Sequence, residues 1–397
     1  MQHLDRLFLA VIYIIKHCFF FIIALSLKLL SYIYHFEFYG IKASRIGHLS
    51  VEIEVALQTF YEARKTRSRL IFFFVDLRQN EVANSFLYKK WKQVLTIGPS
   101  RLLGRITEIQ GYFPFLKYNI LNCDSLSVDY RVLDRSKPSI SFTESELIQG
   151  RQLLKLLGIK EDSKFVCLAA RDSEYLRKSF PDYDFSYHDY RDTNIEDFQD
   201  MCHFLAQKGY HVLRMGKFVS STLICHDEKV IDYANSNLQS DFADVFLFAH
   251  CEFIISTSTG MDRLGVLFRK PIGLVNLPLP QEGEFLGDTL KLVMYKDVID
   301  SISKEKLSLF DSRPFQARRS PHVIDDFLSL GIEYRCNSPQ ELISFSQEMI
   351  MLLHSKACNL MNLEIYEDHY LNMGFQRMDI SLRSFRISPS WLLSRIN

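Results

Sequence analysis

Apolar positions along the chain fall into two rhythms. From residue 36 onward, short continuous apolar runs of the kind that form strands buried on both faces alternate with stretches of helical period. Residues 36–46 read as a strand and its approach, 51–63 as an amphipathic helix, and 70–75 (LIFFFV) as a buried strand. Residues 81–91 read as helix and 93–97 as the next strand. After a polar region at 134–143 the alternation resumes, with a helix that starts near Glu144 and stops at Gly158, then a strand at 164–170. The pattern Thr193-x-x-Glu196 predicts a capping box opening a helix that ends at Gly209, and 210–215 is the next strand. Residues 229–276 compress helix, strand, Ser/Thr/Gly turn, helix and strand into one stretch, and 340–353 is a later amphipathic helix. Residues 283–321 carry mixed signals and take no assignment. Strand–helix alternation at this spacing predicts parallel sheets. The expected class is α/β, with two Rossmann-like domains facing a cleft: 36–140 on the N-terminal side, and 141–397 with a C-terminal extension.

The second rhythm is confined to the first 35 residues. Residues 7–15 and 18–27 are apolar, and Lys16-His17 interrupts them. Neither run reaches the roughly 18–20 residues of a spanning helix. On a continuous helix, Arg6, Lys16, His17, Lys28, Ser31 and His35 fall within a sector of about 120°. That pattern predicts a helix lying in a membrane interface with its polar side toward water. A spanning helix with Lys16 snorkelling, or a buried helix of a soluble protein, are the other readings. A cleaved signal peptide fits poorly, because the polar break splits the core and no small-x-small site follows.

Composition narrows the function classes. Lys+Arg and Asp+Glu balance at 47 each over 397 residues, which argues against a protein built to coat nucleic acid. None of the eight cysteines forms a C-x-x-C pair, so neither a metal site nor a disulfide framework is expected. The chain lacks a G-x-S-x-G elbow, a Walker loop, a full G-x-G-x-x-G and the kinase motifs.

Ligands of open parallel sheets bind beyond the carboxyl ends of the strands, so residues at those ends matter most. Ser256, Thr257, Ser258, Thr259 and Gly260 follow an apolar strand and precede a helix. Such a turn gathers amides, hydroxyls and a helix N-terminus where an anion can sit. Arg171 with Asp172 follows the 164–170 strand, and Arg214, Gly216 and Lys217 close the 210–215 strand. Arginine matches phosphate in a bidentate fork, and together these ends predict a shared phosphate site. The alternative for Arg171 is a surface pair with an aspartate. In the polar-aromatic segment 181–193, Tyr190 and Arg191 are the candidates for contacting substrate. Asp182-x-Asp184 has the spacing of a metal-binding D-x-D, a spacing common by chance, and no metal is expected. His48, after Arg45-Ile46-Gly47, sits where the first strand turns into a helix and is the candidate general base. A capping or packing histidine is its alternative.

These residues resemble a family of bacterial glycosyltransferases found with surface-polysaccharide genes. The likeness runs through RIGHL (45–49), VCLAARDSEYL (166–176), YRDTNIEDF (190–198), GYHVLRMG (209–216), KVIDYANS (229–236), SDFADVFLFAHCEFIISTSTG (240–260), IEYRCNSPQEL (332–342) and the C-terminal RISPSWL. It covers roughly residues 36–391. The resemblance implies a GT-B architecture that binds a nucleotide-sugar donor mainly through its C-terminal domain. Taken with the N-terminal helix and the cationic strand ends, the expected activity is transfer to a glycan or lipid-linked acceptor at the cytoplasmic face of a bacterial inner membrane, without a metal cofactor. The Arg171 region is also similar to an H-x-R element of fucosyltransferase-like folds. Ala169 stands where that histidine would be, so its role does not carry over. A sugar-nucleotide epimerase or hydrolase, or a non-catalytic nucleotide- or glycan-binding protein at the membrane, are the competing functions.

Overall fold

The computed structural model describes residues 2–32, 35–41, 43–64, 69–75, 82–95, 97–116, 120–122, 130–278, 287–308, 311–316, 323–354 and 386–396. The chain forms two compact units, Met1–Val132 and Leu133–Asn397.

The first unit begins with α1 (Gln2–Leu30), followed by β1 (His35–Ile41), a π-helical turn (His48–Glu52) and α2 (Ile53–Arg64). It continues with β2 (Arg69–Val75), α3 (Ser85–Val94), β3 (Ile97–Pro99), α4 (Ser100–Tyr112) and β4 (Ile120–Asn122). Among the described residues the four strands form a parallel sheet in the order β3-β2-β1-β4. The expected strand at 93–97 is displaced toward the C-terminus. The Asn84 side chain caps α3 by accepting from the Leu87 amide at 2.8 Å, and the helix then runs to Val94.

In α1 the correction is larger. The helix passes unbroken through Lys16-His17 and ends at Leu30, so Ser31 lies in a turn and His35 opens β1. Part of the side of α1 expected to meet water packs on α4, while Lys16 stays exposed. His17 pairs with Glu108 at 3.7 Å, and Ala24 is buried with Ile106, Ile109 and Leu116. Residues Val11–Leu30 are long and apolar enough, by length and composition, to cross a membrane.

The second unit opens with α5 (Glu144–Leu156), whose N-terminus carries a capping box between Thr143 and Glu146. There follow β5 (Phe165–Ala169), α6 (Glu174–Ser179), α7 (Gln199–Gln207), β6 (His211–Arg214), β7 (Val230–Ile231) and α8 (Asp241–His250). Next come β8 (Phe253–Ser256), α9 (Asp262–Leu267), β9 (Ile272–Leu277), β10 (Leu290–Tyr295) and β11 (Asp297–Asp300). The unit ends with α10 (Val323–Leu330), β12 (Ile332–Arg335), α11 (Pro339–His354), β13 (Arg386–Ile387) and α12 (Pro389–Ile396). Gly158 and Gly209, at φ of 76° and 95°, end α5 and α7 in the left-handed conformation that glycine accepts without strain. Thr193 does not cap a helix: it donates to the Arg171 carbonyl, and Asn194 caps the 3-10 turn Ile195–Phe198 that leads into α7 by accepting from the Glu196 amide.

Seven described strands form one sheet in the order β13-β10-β9-β8-β5-β6-β7, and every pairing is parallel. The strands β5, β8 and β9 are buried along their full length, as their continuous apolar runs predict. A small antiparallel pair, β11 with β12, stands apart. After β5 the chain builds outward through β6 and β7, then returns to place β8 on the other side of β5. The topological switch point of this sheet therefore lies between β5 and β8. Connections leaving those two strands diverge there and open a crevice at the carboxyl edge.

Candidate functional site

The switch point is where the sequence-predicted residues meet. Arg171 emerges just past β5 and the 256–260 turn just past β8, on strands paired through Ala169 and Ser256. Two bonds tie the strand ends together: the Thr257 amide donates to the Ala169 carbonyl (3.1 Å), and the Arg171 amide donates to Thr257 Oγ1 (2.7 Å). Arg191 reaches the same turn, its Nη2 donating to the Ser258 carbonyl at 3.3 Å. Arg171, Arg191 and the turn thus form one cluster.

The turn itself is held by an aspartate that sequence reasoning missed. Asp262 is buried, and its Oδ2 accepts from Ser256 Oγ (2.8 Å) and from the Thr259 amide (3.0 Å). Ser258 adopts φ of 61°, a left-handed conformation that a non-glycine residue takes only under such restraint. The expectation that the whole turn would present amides to an anion is therefore corrected. The Thr257 and Thr259 amides already have carbonyl and carboxylate partners, and Ser256 lies fully inside. The Ser258 and Gly260 amides make no hydrogen bond among the described residues, and Thr259 Oγ1 is buried without a partner. The helix that follows is a single short stretch, Asp262–Leu267, with an acid in its first turn, so little dipole is added.

Three acids moderate the cationic cluster. Asp192 Oδ1 pairs with Arg171 Nε at 3.2 Å. Burial holds the Asp192 carboxyl above its ordinary value, and the Arg171 charge works against that rise. Asp189 is raised for the same first reason, with Arg171 again opposing. Asp172 accepts from the Glu174 amide (2.8 Å) and, through its other oxygen, from the amide and hydroxyl of Ser220 (2.7 and 2.8 Å). It ties two loops together at the rim.

Lys296, just past β10, is the second residue the sequence did not reveal. It is buried, and its Nζ donates to the carbonyls of Tyr190 (2.9 Å) and Asp192 (2.8 Å), which clamps the segment that carries Arg191. Burial pushes its pKa down, while Cys336 and Asp192 push it back up. The expected ligand contact Tyr190 has a different occupation: its ring packs against Phe327 and Tyr334 at 5.4 and 6.3 Å.

Arg214 also lies at a strand end, but one strand removed from the switch point. Its side chain is 1% exposed and donates from Nη1 to the Ser221 carbonyl (3.0 Å) and to Asp232 Oδ1 (3.1 Å). Asp232 in turn accepts from the Leu223 amide and Asn235. This closed network holds the 216–223 loop and encloses the Arg214 guanidinium that the sequence reading placed at the phosphate. Gly216 accepts from Gln239 through its carbonyl, and Lys217 is exposed. Asp182 and Asp184 are both exposed, and Asp184 accepts from the Ser186 amide. Among the described residues there is no group of three or more His, Cys, Asp or Glu side chains that could hold a metal ion.

In the first unit, His48 starts the π-helical turn that follows β1 and sits, half-buried, with its Nδ1 on Glu52 Oε1 at 2.5 Å. The carboxylate accepts, which assigns the ring proton to Nδ1 and makes Nε2 the basic nitrogen. The backbone here is fixed by Trp91, whose indole donates to the Leu49 carbonyl at 2.8 Å. Glu52 was not singled out in the sequence. Its i+4 spacing from His48 is a helix-face signal that becomes readable once the helical turn is placed at His48.

No protein-family model matches the chain, and no curated protein matches it. Solved structures do resemble it at low identity. A glycosyl transferase family 9 protein from Veillonella parvula DSM 2008 aligns with a TM-score of 0.46 at 11% identity, covering 81% of this chain and 98% of that one. The ADP-heptose LPS heptosyltransferase II of E. coli aligns at 0.37 and 12% identity, covering 60% and 84%. The dodecameric iron-containing heptosyltransferase TibC, in complex with ADP-D-beta-D-heptose, aligns at 0.38 and 11% identity, covering 80% and 77%.

Proposed function

We propose that this chain is a glycosyltransferase of GT-B type that moves a sugar from a nucleotide-sugar donor to a glycan or lipid-linked acceptor at the cytoplasmic face of a membrane. The observation that carries the proposal is the convergence of Arg171, Arg191 and the 256–260 turn on the β5/β8 switch point. A crevice at that place in a parallel sheet, lined by two guanidinium groups and by the Ser258 and Gly260 amides, suits the diphosphate of a sugar nucleotide. The resemblance of these same segments to surface-polysaccharide glycosyltransferases supports the same assignment.

In this reading Arg171 and Arg191 bind the diphosphate and stabilise the negative charge that grows on it as the glycosidic bond to phosphate breaks. That charge stabilisation does the work a metal ion performs elsewhere, so the reaction is metal-independent. Thr259 Oγ1 offers a further donor to a phosphate oxygen. His48 acts as the general base through Nε2, with Glu52 holding its tautomer and stabilising the imidazolium that forms. Direct attack of the deprotonated acceptor hydroxyl on the anomeric carbon inverts its configuration.

The test uses the purified full chain with a panel of nucleotide sugars, with and without membrane extract as acceptor source. Acceptor-dependent release of nucleotide is expected. His48→Ala should retain donor binding and lower transfer about 10²–10⁴-fold. Turnover without acceptor identifies an epimerase or hydrolase, and absence of any donor binding removes the nucleotide-sugar reading altogether.

A further inference from the structure

The first unit turns its N-terminal helix inside out. On α1, with residues about 100° apart, His17, Ala24 and Lys28 lie on the side that packs toward α4. The opposite side carries Val11, Ile15, Phe19, Ile22 and Leu29, all exposed, with Ile15 at 62% and Phe19 at 58%. At about 1.5 Å per residue this apolar stripe is roughly 30 Å long. It is widened by the segment that ends α4. The Phe113 ring stands against Phe21 at 4.9 Å and against Phe115 at 6.0 Å, and Phe115 is 63% exposed. A continuous exposed apolar face of this extent marks an interaction surface.

Two observations identify what covers it. Lys16 is exposed on the flank of the stripe, and Lys28 lies over the ring of the exposed Tyr32 at the end of α1, whereas Arg105, at a shallow cavity of about 190 Å³ between the helices, is paired with Glu108 at 2.7 Å. Two lysines flanking an apolar stripe, one of them with a tyrosine at its end, complement an anionic bilayer surface. The same packing argues against a spanning helix. The middle of α1 is bonded to α4, so insertion across the bilayer would carry Arg105, Glu108 and Gln110 into hydrocarbon.

We infer that α1 and the C-terminal end of α4 form one monotopic docking face, which buries the Ile15–Phe19–Phe115 surface in the interface of an anionic phospholipid bilayer. This surface is independent of the chemistry proposed for the other unit, and vesicle binding is read without any donor or acceptor.

The full chain is cosedimented with vesicles of phosphatidylcholine alone and of phosphatidylcholine containing one third phosphatidylglycerol. Binding is expected to the anionic vesicles, to weaken as salt rises, and to be released by alkaline carbonate. Phe115→Ser, at an exposed site outside both helices, should lower partitioning about ten-fold, and Ile15→Glu should lower it further. Resistance to carbonate with no effect of Phe115→Ser overturns the inference in favour of a spanning helix. A concentration-dependent dimer that Ile15→Glu dissociates, with no vesicle binding, overturns it in favour of a second copy of this chain.

Discussion

Arg171 and Arg214 occupy equivalent places, each closing a buried strand of the same parallel sheet, yet the structure employs them differently. Arg171 follows β5 at the switch point, where its backbone is bonded to the 256–260 turn, which Arg191 also reaches, and its side chain pairs with Asp192 at 3.2 Å. Arg214 ends β6, from which a loop without helix leads to the neighbouring strand β7. Its guanidinium is enclosed by Ser221 and Asp232. The residue type and its position at a strand end do not by themselves decide the surroundings of the side chain. Strand order decides where the connections part, and the proposed site lies where they do.

Removing Arg214 should produce the largest effect and sharpen this contrast. Arg214→Ala leaves Asp232 with its buried partner gone, at a cost of about 3–5 kcal/mol in unfolding free energy, measured by denaturant titration. Arg191→Ala should leave stability within about 0.5 kcal/mol and weaken nucleoside diphosphate binding by about 1.5–3 kcal/mol, the usual worth of a hydrogen bond to a charged group. If both substitutions behave alike, the distinction between the two strand ends fails.

The scaffold end also holds a titrating group. Asp244 on α8 accepts from the Tyr233 hydroxyl at 2.8 Å and is buried, and burial pushes its carboxyl up to about 6 from 3.8. Because the folded state binds this proton more tightly than the unfolded chain does, stability is highest below about pH 4 for this group and falls as pH rises to about 6. Asp244→Asn should therefore flatten that segment of the pH–stability profile and stabilise the protein at pH 7.5 by about 1–3 kcal/mol, read from thermal melts across pH. An unchanged profile would show that the Tyr233 bond compensates the burial fully. A smaller effect is expected at the turn. Thr257→Val removes the acceptor of the Arg171 amide and should destabilise by about 1 kcal/mol while also weakening diphosphate binding.

Much of this architecture was legible in the sequence because it rests on local rules. The runs that became β5, β8 and β9 are apolar apart from Ser256 and Asn276, and glycine marked the ends of α5 and α7. The 256–260 turn was legible as a strand-to-helix junction. What escaped was every residue whose role depends on a distant partner. Thr193 looked like a cap but is engaged by the Arg171 carbonyl, leaving Asn194 to cap the turn. Lys296 lies in a region without a clear period, and only the folded sheet brings its amine to the carbonyls of Tyr190 and Asp192. Asp262 stood beside the predicted turn, yet its inward rotation is set by Ser256 and Thr259 together. Of the sector read for α1, Lys16, His17 and Lys28 lie on the described part of the helix, while Ser31 and His35 lie beyond it. Its partner α4 could not be inferred from periodicity, which fixes a face but not what covers it.

The most direct test of the central claim is calorimetric titration of a nucleoside diphosphate into the wild-type chain, Arg171→Lys, Arg191→Ala and Thr259→Val. If the β5/β8 switch point is the diphosphate site, the wild type binds. Arg191→Ala then binds about ten- to hundred-fold more weakly with its melting temperature unchanged, and the other two variants lose smaller amounts. Wild-type binding that all three substitutions leave intact would contradict the assignment.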